Sequence, residues 1–374
     1  RPQVHPQEDP MRDLHPQRIV IKIGTNTICQ DDGTVDQGYI DEVARQVAEL
    51  DRDGIQSIVV TSGAIGSGSS ELSLDGKKKD VAMKQACAAV GQATLMLAWR
   101  DAFRKYGKSV GQVLLTYGAF SDRARYLDLR KALDEMFRLG VVPVVNENDV
   151  IATDEIEEIF GDNDKLSALV ASKMDAGLLI LLTDVDGLYD RNPEADKDAK
   201  LIPTVDEITK DLERIAGEKR KERSTGGMRT KINAARIAMQ SGCNMVIANG
   251  RTPDVIVRVA RGEELGTLFT AQSHYSNRER WILFACPRGK VMVDEGAERA
   301  LRDGGSLLPC GITSIDGKFK KGDVVRIGSF AKGLANVSST EMQSRMVKCR
   351  EEKAAGKNVN GNAVISHENI VFHD

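Results

Sequence analysis

The sequence predicts a two-domain α/β protein, in which a three-layer sandwich around a mostly parallel sheet precedes a small β-rich domain. At 374 residues the chain is longer than one ordinary core requires. Up to about residue 275, short apolar runs alternate with helical patterns of more than ten residues, as in sheets whose parallel strands are joined by helical crossovers. After Trp281, short strand-like runs lie between glycine-containing turns instead.

The strands of the first domain are predicted from short runs of aliphatic residues that end at glycine or polar residues. These runs cover residues 18–23, 57–61, 110–116, 141–145, 178–182 and 244–248. Apolar residues at helical spacing predict the intervening helices, the first of which ends at Gly54. The predicted helices cover residues 38–53, 82–106, 121–139, 166–174 and 228–240.

In the second domain the pattern predicts strands at 281–284, 290–293 and 323–327 and one short helix at 297–302. A polar stretch at 272–280 marks the boundary. We therefore expect a disordered tail over residues 1–17, a first domain over 18–275, a linker over 276–283, and a second domain with a C-terminal tail over 284–374.

Composition excludes several classes of protein. A net charge of -3 gives no general attraction to nucleic acid or anionic membranes. No apolar run approaches the length of a membrane span, and the polar first residues do not resemble a signal peptide. The cysteines form no C-x-x-C pair, which predicts reduced thiols in a cytoplasmic protein and no zinc site. They are Cys29, Cys87, Cys243, Cys286, Cys310 and Cys349.

Three glycine-rich loops, at residues 22–25, 62–68 and 225–231, fall where a strand or loop leads into a helix. Glycine lets backbone N–H groups approach a phosphate, and a helix N-terminus adds positive potential. None of the loops matches a Walker A or dinucleotide-binding pattern. Two carry a lysine, Lys22 and Lys231, which suits phosphoryl transfer, although a lysine at a sheet edge can also simply extend to solvent.

Two further loops are rich in carboxylate and amide side chains, at residues 146–149 and 161–164. They lie where a strand ends and a helix begins, the usual ligand position in open α/β sheets, although Asp and Asn also serve ordinary turns and helix caps. Histidine occurs only near the ends or the domain boundary, which argues against a histidine base. A carboxylate acceptor needs no base, because it is already ionised at neutral pH.

These motifs occur in an order that resembles the glutamate 5-kinase family of the amino acid kinase superfamily. The order is KIGTN (22–26), VVTSGAI (59–65), AAVGQ (88–92), NEND (146–149), GDND-x-LSA (161–168), LLTDVDGLY (181–189) and TGGM-x-TK (225–231). Residues 293–312 and 320–327 resemble the PUA domain that this family carries at its C-terminus. The resemblance implies the amino acid kinase fold followed by a PUA domain.

The resemblance also implies an activity, the transfer of the γ-phosphoryl group of ATP to the γ-carboxylate of L-glutamate in the first step of proline biosynthesis. Mg²⁺ is expected to be carried by ATP phosphates and water, without a dedicated protein site. Proline is the expected feedback inhibitor, and a homo-oligomer, a tetramer or dimer, is the expected assembly. Glutamyl phosphate reductase would act downstream.

Position by position, the resemblance implies three catalytic residues, Lys22, Lys231 and Asp164, of which the aspartate orients the two lysines. The substrate-binding residues would be Ser62, Asp149 and Asn163, with Asp149 pairing with the α-ammonium of glutamate. The ATP-binding residues would be Lys22, Gly24, Thr183, Asp184, Thr225, Gly226, Gly227, Met228, Arg229, Thr230 and Lys231.

Two alternatives stay open from the sequence. One is a related kinase of the superfamily acting on another small carboxylate or phosphate, against which Asp149 favours an ammonium-bearing substrate. The other is an RNA-binding PUA protein, supported by a modest excess of positive charge after residue 276. Because those basic residues are not interleaved with stacking aromatics, the pattern argues against RNA.

Overall fold

The computed structural model describes residues 11–74, 80–152, 163–193, 196–217, 227–272, 275–356 and 362–373. The chain divides into two compact units. The larger comprises Arg1–Thr116 and Asp128–His274, and the smaller comprises Tyr117–Leu127 and Tyr275–Asp374. Within the described ranges, no helix is both long and apolar enough to cross a membrane.

The larger unit is built on an eight-stranded sheet with the order β3-β4-β2-β1-β5-β7-β8-β6. Its strands are β1 (Arg18–Ile23), β2 (Gln56–Val60), β3 (Ser109–Leu115), β4 (Val141–Glu147), β5 (Leu178–Thr183), β6 (Thr204–Val205), β7 (Asn244–Asn249) and β8 (Thr267–Phe269). All neighbouring strands are parallel except β7 and β8. The predicted mostly parallel sheet is therefore confirmed, with all six predicted strands in place.

Helices connect the strands as the sequence pattern predicts. They are α1 (Thr25–Ile28), α2 (Gln37–Arg52), α3 (Ala64–Glu71), α4 (Val81–Arg104), α5 (Tyr117–Ser121), α6 (Arg123–Arg138), α7 (Asn163–Lys173), α8 (Lys210–Gly217), α9 (Met228–Gln240) and α10 (Val255–Ala260). Aspartate side chains start two of the longest helices: Asp36 accepts from the backbone of Tyr39, and Asp80 from that of Met83. Such caps satisfy N–H groups that have no partner within the helix.

The alternation of side chains along β1 sorts the helices into two layers. Ile19, Ile21 and Ile23 are fully buried in one core cluster with apolar residues of α2, α4 and α10. Val20 and Lys22 therefore point to the other face, where α7 packs against β1 and α9. The sheet thus lies between two helical layers, which confirms the predicted sandwich.

The backbones of α3 and α4 touch at two glycines. A Cβ atom on Gly68 would lie 1.8 Å from the carbonyl oxygen of Cys87, and one on Gly91 would lie 1.9 Å from that of Ala64. No side chain fits at either position, since real Cβ atoms do not approach a backbone oxygen so closely. This contact holds α4 directly against the loop that follows β2.

The N-terminal segment differs from the prediction of a disordered tail over residues 1–17. The side chain of Arg12 donates to the carbonyl oxygens of Leu265 (2.8 Å), Pro203 (2.9 Å) and Gly266 (3.1 Å). Leu14 is buried in the core of the larger unit. The prediction is therefore wrong for residues 11–17, while residues 1–10 lie outside the described ranges.

The smaller unit contains a five-stranded sheet with the order β10-β9-β11-β12-β13. Its strands are β9 (Gly289–Val293), β10 (Ile312–Gly317), β11 (Val324–Ile327), β12 (Ala331–Leu334) and β13 (Ile370–Phe372). The helices of this C-terminal part are α11 (Asn277–Phe284), α12 (Glu295–Arg302) and α13 (Ser339–Ala354), with two 3₁₀ turns at Pro309–Gly311 and His367–Asn369. The predicted β-rich domain is confirmed.

Two predictions for this unit are wrong. Residues 281–284 belong to α11, which also covers the predicted linker, and its first turn is closed by a capping box between Ser276 and Glu279. The four apolar residues that end α11 are all buried, so they show no helical period in the sequence. The predicted C-terminal tail includes α13 and β13, and β13 pairs with β12.

A disulfide joins Cys310 to Cys349, whose Cα atoms lie 5.4 Å apart. The prediction of six reduced thiols is therefore wrong for this pair. Packing of α13 on the 3₁₀ turn that contains Cys310 brings the two residues together from 39 positions apart in sequence. Cys29, Cys87, Cys243 and Cys286 are not in disulfide bonds.

Candidate active site

The predicted site residues of the larger unit gather at one edge of its sheet. Because β1, β2, β4 and β5 are parallel, their carboxyl ends meet at this edge. Gly24 and Asp184 directly follow the last residues of β1 and β5. Ser62 and Asp149 each lie two residues beyond the ends of β2 and β4. Residues far apart in sequence thus surround one position.

Lys22, Asp164 and Lys231 form a buried cluster of charges. Lys22 Nζ forms an ion pair with Asp164 Oδ1, and Lys231 Nζ lies 3.1 Å from Asp164 Oδ2. Asp164 is fully buried, and the two lysines are only 4% and 7% exposed. Two ammonium groups are thus fixed by one carboxylate in a place with little water, where their charges are screened little, and such groups can bind the oxygens of an anion.

The charge state of Asp164 follows from two opposing effects. Burial raises its pKa, but attraction by Lys22 and then by Lys231 outweighs burial, so the pKa lies well below its ordinary value. Thr230 adds a hydroxyl donor at 3.1 Å from Asp164 Oδ2. Asp164 is therefore a carboxylate that holds both ammonium groups in place.

The start of α9 lies at this cluster. Gly227 is its N-cap residue and makes no side-chain capping bond, and Met228, Arg229, Thr230 and Lys231 form its first turn. Backbone N–H groups of a first helical turn bind anions well. Thr225 and Gly226, which the sequence also assigns to the ATP site, lie outside the described ranges.

Residues after β1 and β5 lie on the same side. A Cβ atom on Gly24 would be 3.7 Å from Lys22 Nζ, so the glycine lies directly beside the ammonium group. Thr183 Oγ1 donates to Asp184 Oδ1 at 3.0 Å, and Asn26 Nδ2 donates to Asp184 Oδ2 at 3.4 Å. Burial opposes ionisation of Asp184, but these hydrogen bonds lower its pKa.

A network of amide side chains adjoins the charged cluster. Asn163 Nδ2 lies 2.7 Å from the carbonyl oxygen of Thr61, 2.9 Å from Ser62 Oγ and 2.9 Å from Asn146 Oδ1. Asn146 Nδ2 in turn donates to Gln92 Oε1 at 2.8 Å. Asn163 and Asp164 are consecutive at the start of α7, so one helical turn connects the amide network to the lysines.

Two carboxylates lie at the end of β4. Burial, and then repulsion by Asp149, raises the pKa of Glu147 to about 8. Burial raises the pKa of Asp149 to about 6. Two partly buried acids next to each other gain most from a cationic partner, because a cation removes both the desolvation cost and their repulsion.

The structure therefore joins six of the fifteen predicted residues into two groups. Lys22, Asp164, Lys231 and Thr230 form the lysine–aspartate cluster, and Ser62 and Asn163 belong to the amide network. Asn146, Gln92 and Glu147 were not predicted as site residues. Asn146 and Glu147 belong to NEND and Gln92 ends AAVGQ, so their motifs were visible although their contacts were not. No group of three or more His, Cys, Asp or Glu residues suitable for a metal occurs within the described ranges.

Comparisons with known proteins identify the family of the chain. A family model described as the amino acid kinase family matches residues 17–249, and a PUA domain model matches residues 289–354. A protein named glutamate 5-kinase from Methanosarcina mazei is 47% identical over 348 residues, which cover 90% of this chain and 90% of the relative.

Two other proteins with the same name extend the comparison. The one from Methanococcoides burtonii is 49% identical over 88% of this chain and 89% of its own length. The one from Caldanaerobacter subterraneus subsp. tengcongensis is 46% identical over 87% of this chain and 89% of its own length. The chain therefore belongs to the amino acid kinase family and, within it, to the glutamate 5-kinases.

Proposed function

We propose that this chain transfers the γ-phosphoryl group of ATP to the γ-carboxylate of L-glutamate, the first step of proline biosynthesis. The observation that carries the proposal is the buried Lys22–Asp164–Lys231 cluster next to the amide network of Asn163. A fixed pair of cations beside a polar pocket is what phosphoryl transfer to a small carboxylate requires.

In this proposal Lys22 and Lys231 contact the transferring phosphoryl group, and Asp164 keeps both ammonium groups in position. The first turn of α9 and residues Thr183 and Asp184 lie along the nucleotide. The N-terminus of α9, which has no side-chain cap, and the two ammonium groups suit the phosphates of ATP. Mg²⁺, held by those phosphates and by water, would neutralise charge on the β- and γ-oxygens.

In the proposed glutamate site, different side chains bind the ammonium group and the carboxylate of the substrate. Asp149 pairs with the α-ammonium, while Ser62 donates its hydroxyl hydrogen to the carboxylate end, where Asn163 Nδ2 lies 2.9 Å from Ser62 Oγ and holds it in place. No residue has to remove a proton, because a γ-carboxylate with a pKa of about 4.3 is already ionised at neutral pH. The chain's task is therefore to orient two anions and to offset their repulsion.

Substrate choice tests the pairing with Asp149. N-acetylglutamate is expected to react at less than about one hundredth of the rate of L-glutamate, since the acyl group removes the ammonium charge and leaves a partly buried carboxylate unpaired. ADP release is measured for both compounds with the same preparation. Comparable rates would overturn the assignment of glutamate as the substrate.

The pH dependence of glutamate binding tests the two carboxylates. Asp149, with its pKa raised to about 6, is protonated below that pH and cannot attract an ammonium group, so kcat/KM for glutamate should rise as pH increases through about 6. Ionisation of Glu147, whose pKa is raised to about 8, should add a second rise near that pH.

Glu147→Gln should abolish the second rise and keep the first, and Asp149→Asn should abolish the first. The KM for ATP, measured at each pH, is the internal control. A kcat/KM for glutamate that stays constant from about pH 5 to about pH 9 would show that neither carboxylate pairs with the substrate.

The regulation and assembly expected from the resemblance belong to the same proposal. Proline, which carries an ammonium and a carboxylate like glutamate, would compete for Asp149 and Asn163. The chain would act in the cytoplasm as a homo-oligomer, a tetramer or dimer. Its product, an acyl phosphate that water hydrolyses, would be consumed by glutamyl phosphate reductase.

A further inference from the structure

Gln92 forms the buried end of the amide network. It lies on α4, is 9% exposed, and accepts a hydrogen bond from Asn146 Nδ2 at 2.8 Å through its Oε1 atom. Asn146 Oδ1 accepts from Asn163 Nδ2 at 2.9 Å, and the same nitrogen lies 2.9 Å from Ser62 Oγ. A continuous chain of hydrogen bonds thus runs from α4 to two proposed substrate-binding residues.

The chain of amides has a direction. Asn146 Oδ1 accepts from Asn163 and also from the backbone N–H of Glu147 at 2.9 Å, so its Nδ2 atom must face Gln92. If the side-chain amide of Asn146 were flipped, its Nδ2 atom would face Asn163 Nδ2, and two donors would meet without an acceptor. In this orientation the acceptor atom of Gln92 is the partner of Asn146 Nδ2, so it adds a third hydrogen bond that holds the Asn146 amide in place.

Gln92 is not the residue that packing alone would favour. Its Nε2 atom is buried and has no hydrogen-bond partner within the described part of the chain. An unsatisfied buried donor costs about 1–3 kcal/mol, and an apolar side chain of similar size would avoid that cost. The glutamine is therefore explained by the one bond that it makes, to Asn146.

The backbone around Gln92 is fixed with respect to the substrate loop. The preceding residue, Gly91, lies against the backbone of Ala64, where a Cβ atom would come within 1.9 Å of the carbonyl oxygen. Gln92 is therefore attached to the same rigid contact that places the loop containing Ser62. A side chain held this way can transmit a fixed position to its partner.

We propose that Gln92 is a positioning residue for the phosphoryl acceptor. It acts through Asn146, which holds the Asn163 amide beside Ser62, the hydroxyl donor proposed for the substrate carboxylate. This inference rests on the proposed function, because it assigns the carboxylate of glutamate to Ser62 beside Asn163. The inference adds Gln92 to the residues of the proposed site, although Gln92 carries no charge and is not expected to contact either ligand.

The test uses Gln92→Met in the full chain, since methionine has a similar length but offers Asn146 no comparable acceptor. The KM for glutamate should rise about tenfold, the effect of one misplaced hydrogen bond, while the KM for ATP changes less than about twofold. The melting temperature should change little, because one unsatisfied buried donor, Gln92 Nε2, is removed while another, Asn146 Nδ2, loses its acceptor. Gln92→Leu repeats the test if the methionine variant does not fold.

A double-mutant cycle separates positioning from packing. In an Asn146→Ala background, Gln92→Met should change the KM for glutamate less than about twofold, because its route to Asn163 is already broken. Gln46 provides a matched control: it is buried on α2 and accepts from the backbone of Ile256 at 2.8 Å. Gln46→Met should lower the melting temperature and leave both KM values unchanged.

Two results would overturn the inference while the proposed function stands. One is a KM for glutamate in the Gln92→Met or Gln92→Leu protein that equals that of the unmodified protein. The other is full additivity of the Gln92 and Asn146 substitutions. If the unmodified protein does not phosphorylate glutamate, the proposed function itself fails, and the assay shows this before any variant is compared.

Discussion

Replacing Lys22 or Lys231 with alanine is expected to lower kcat at least about a hundredfold, the usual effect of removing one fixed group that stabilises charge in a transition state. Both ammonium groups are held by Asp164 in a buried position, so they need no rearrangement when charge develops on the phosphoryl group. The effect should fall mainly on kcat rather than on the KM for glutamate. Steady-state ADP release at saturating substrates measures it.

Lys173 is a matched control for these two variants. It is another buried lysine on α7, 3% exposed, and lies about 13.5 Å along the helix from Asp164. Lys173→Met should change the melting temperature without changing kcat. If Lys22→Ala or Lys231→Ala instead loses stability and keeps its turnover, that lysine is structural.

The sheet was predictable because its central strands are buried on both faces. Such strands read as continuous aliphatic runs, and β5 is an example, with all six residues buried. β6 and β8 contain two and three residues, too few to form a recognisable run. The same kind of run misled the prediction for α11, because the last four residues of this helix are all buried and also read as continuously apolar.

The site was predictable only where a motif identified its residue types. Lys22, Asp164 and Lys231 stood out because charged residues in glycine-rich or polar loops after strands need an explanation. Gln92 did not stand out, since its partner Asn146 lies 54 positions away and a glutamine on a helix is unremarkable in sequence. The Cys310–Cys349 pair was missed for the same reason, because only tertiary packing brings the two residues together.

Asp164→Asn is expected to destabilise the protein in the absence of nucleotide. It should also increase the rise in melting temperature that nucleotide binding produces. The substitution preserves size but removes the carboxylate that pairs with Lys22 and Lys231, and breaking such a buried pair costs about 3–5 kcal/mol. ATP phosphates can supply the missing negative charge. Addition of ATP and Mg²⁺ should therefore raise the melting temperature of Asp164→Asn more than that of the unmodified protein, while kcat falls.

The pH dependence of the unfolding free energy distinguishes the loss of the Asp164 charge from simple misfolding of the Asp164→Asn protein. The pKa of Asp164 is depressed in the folded state, so its contribution to stability is present above the unfolded value of about 3.9 and is lost as pH falls through the folded value. The difference in unfolding free energy between the two proteins should stay constant between about pH 6 and pH 8 and shrink in strong acid. If Asp164→Asn and the unmodified protein had equal melting temperatures and equal nucleotide-induced rises, the two lysines would not depend on Asp164. Only a carboxylate that neutralises them can produce both the lower stability and the larger rise.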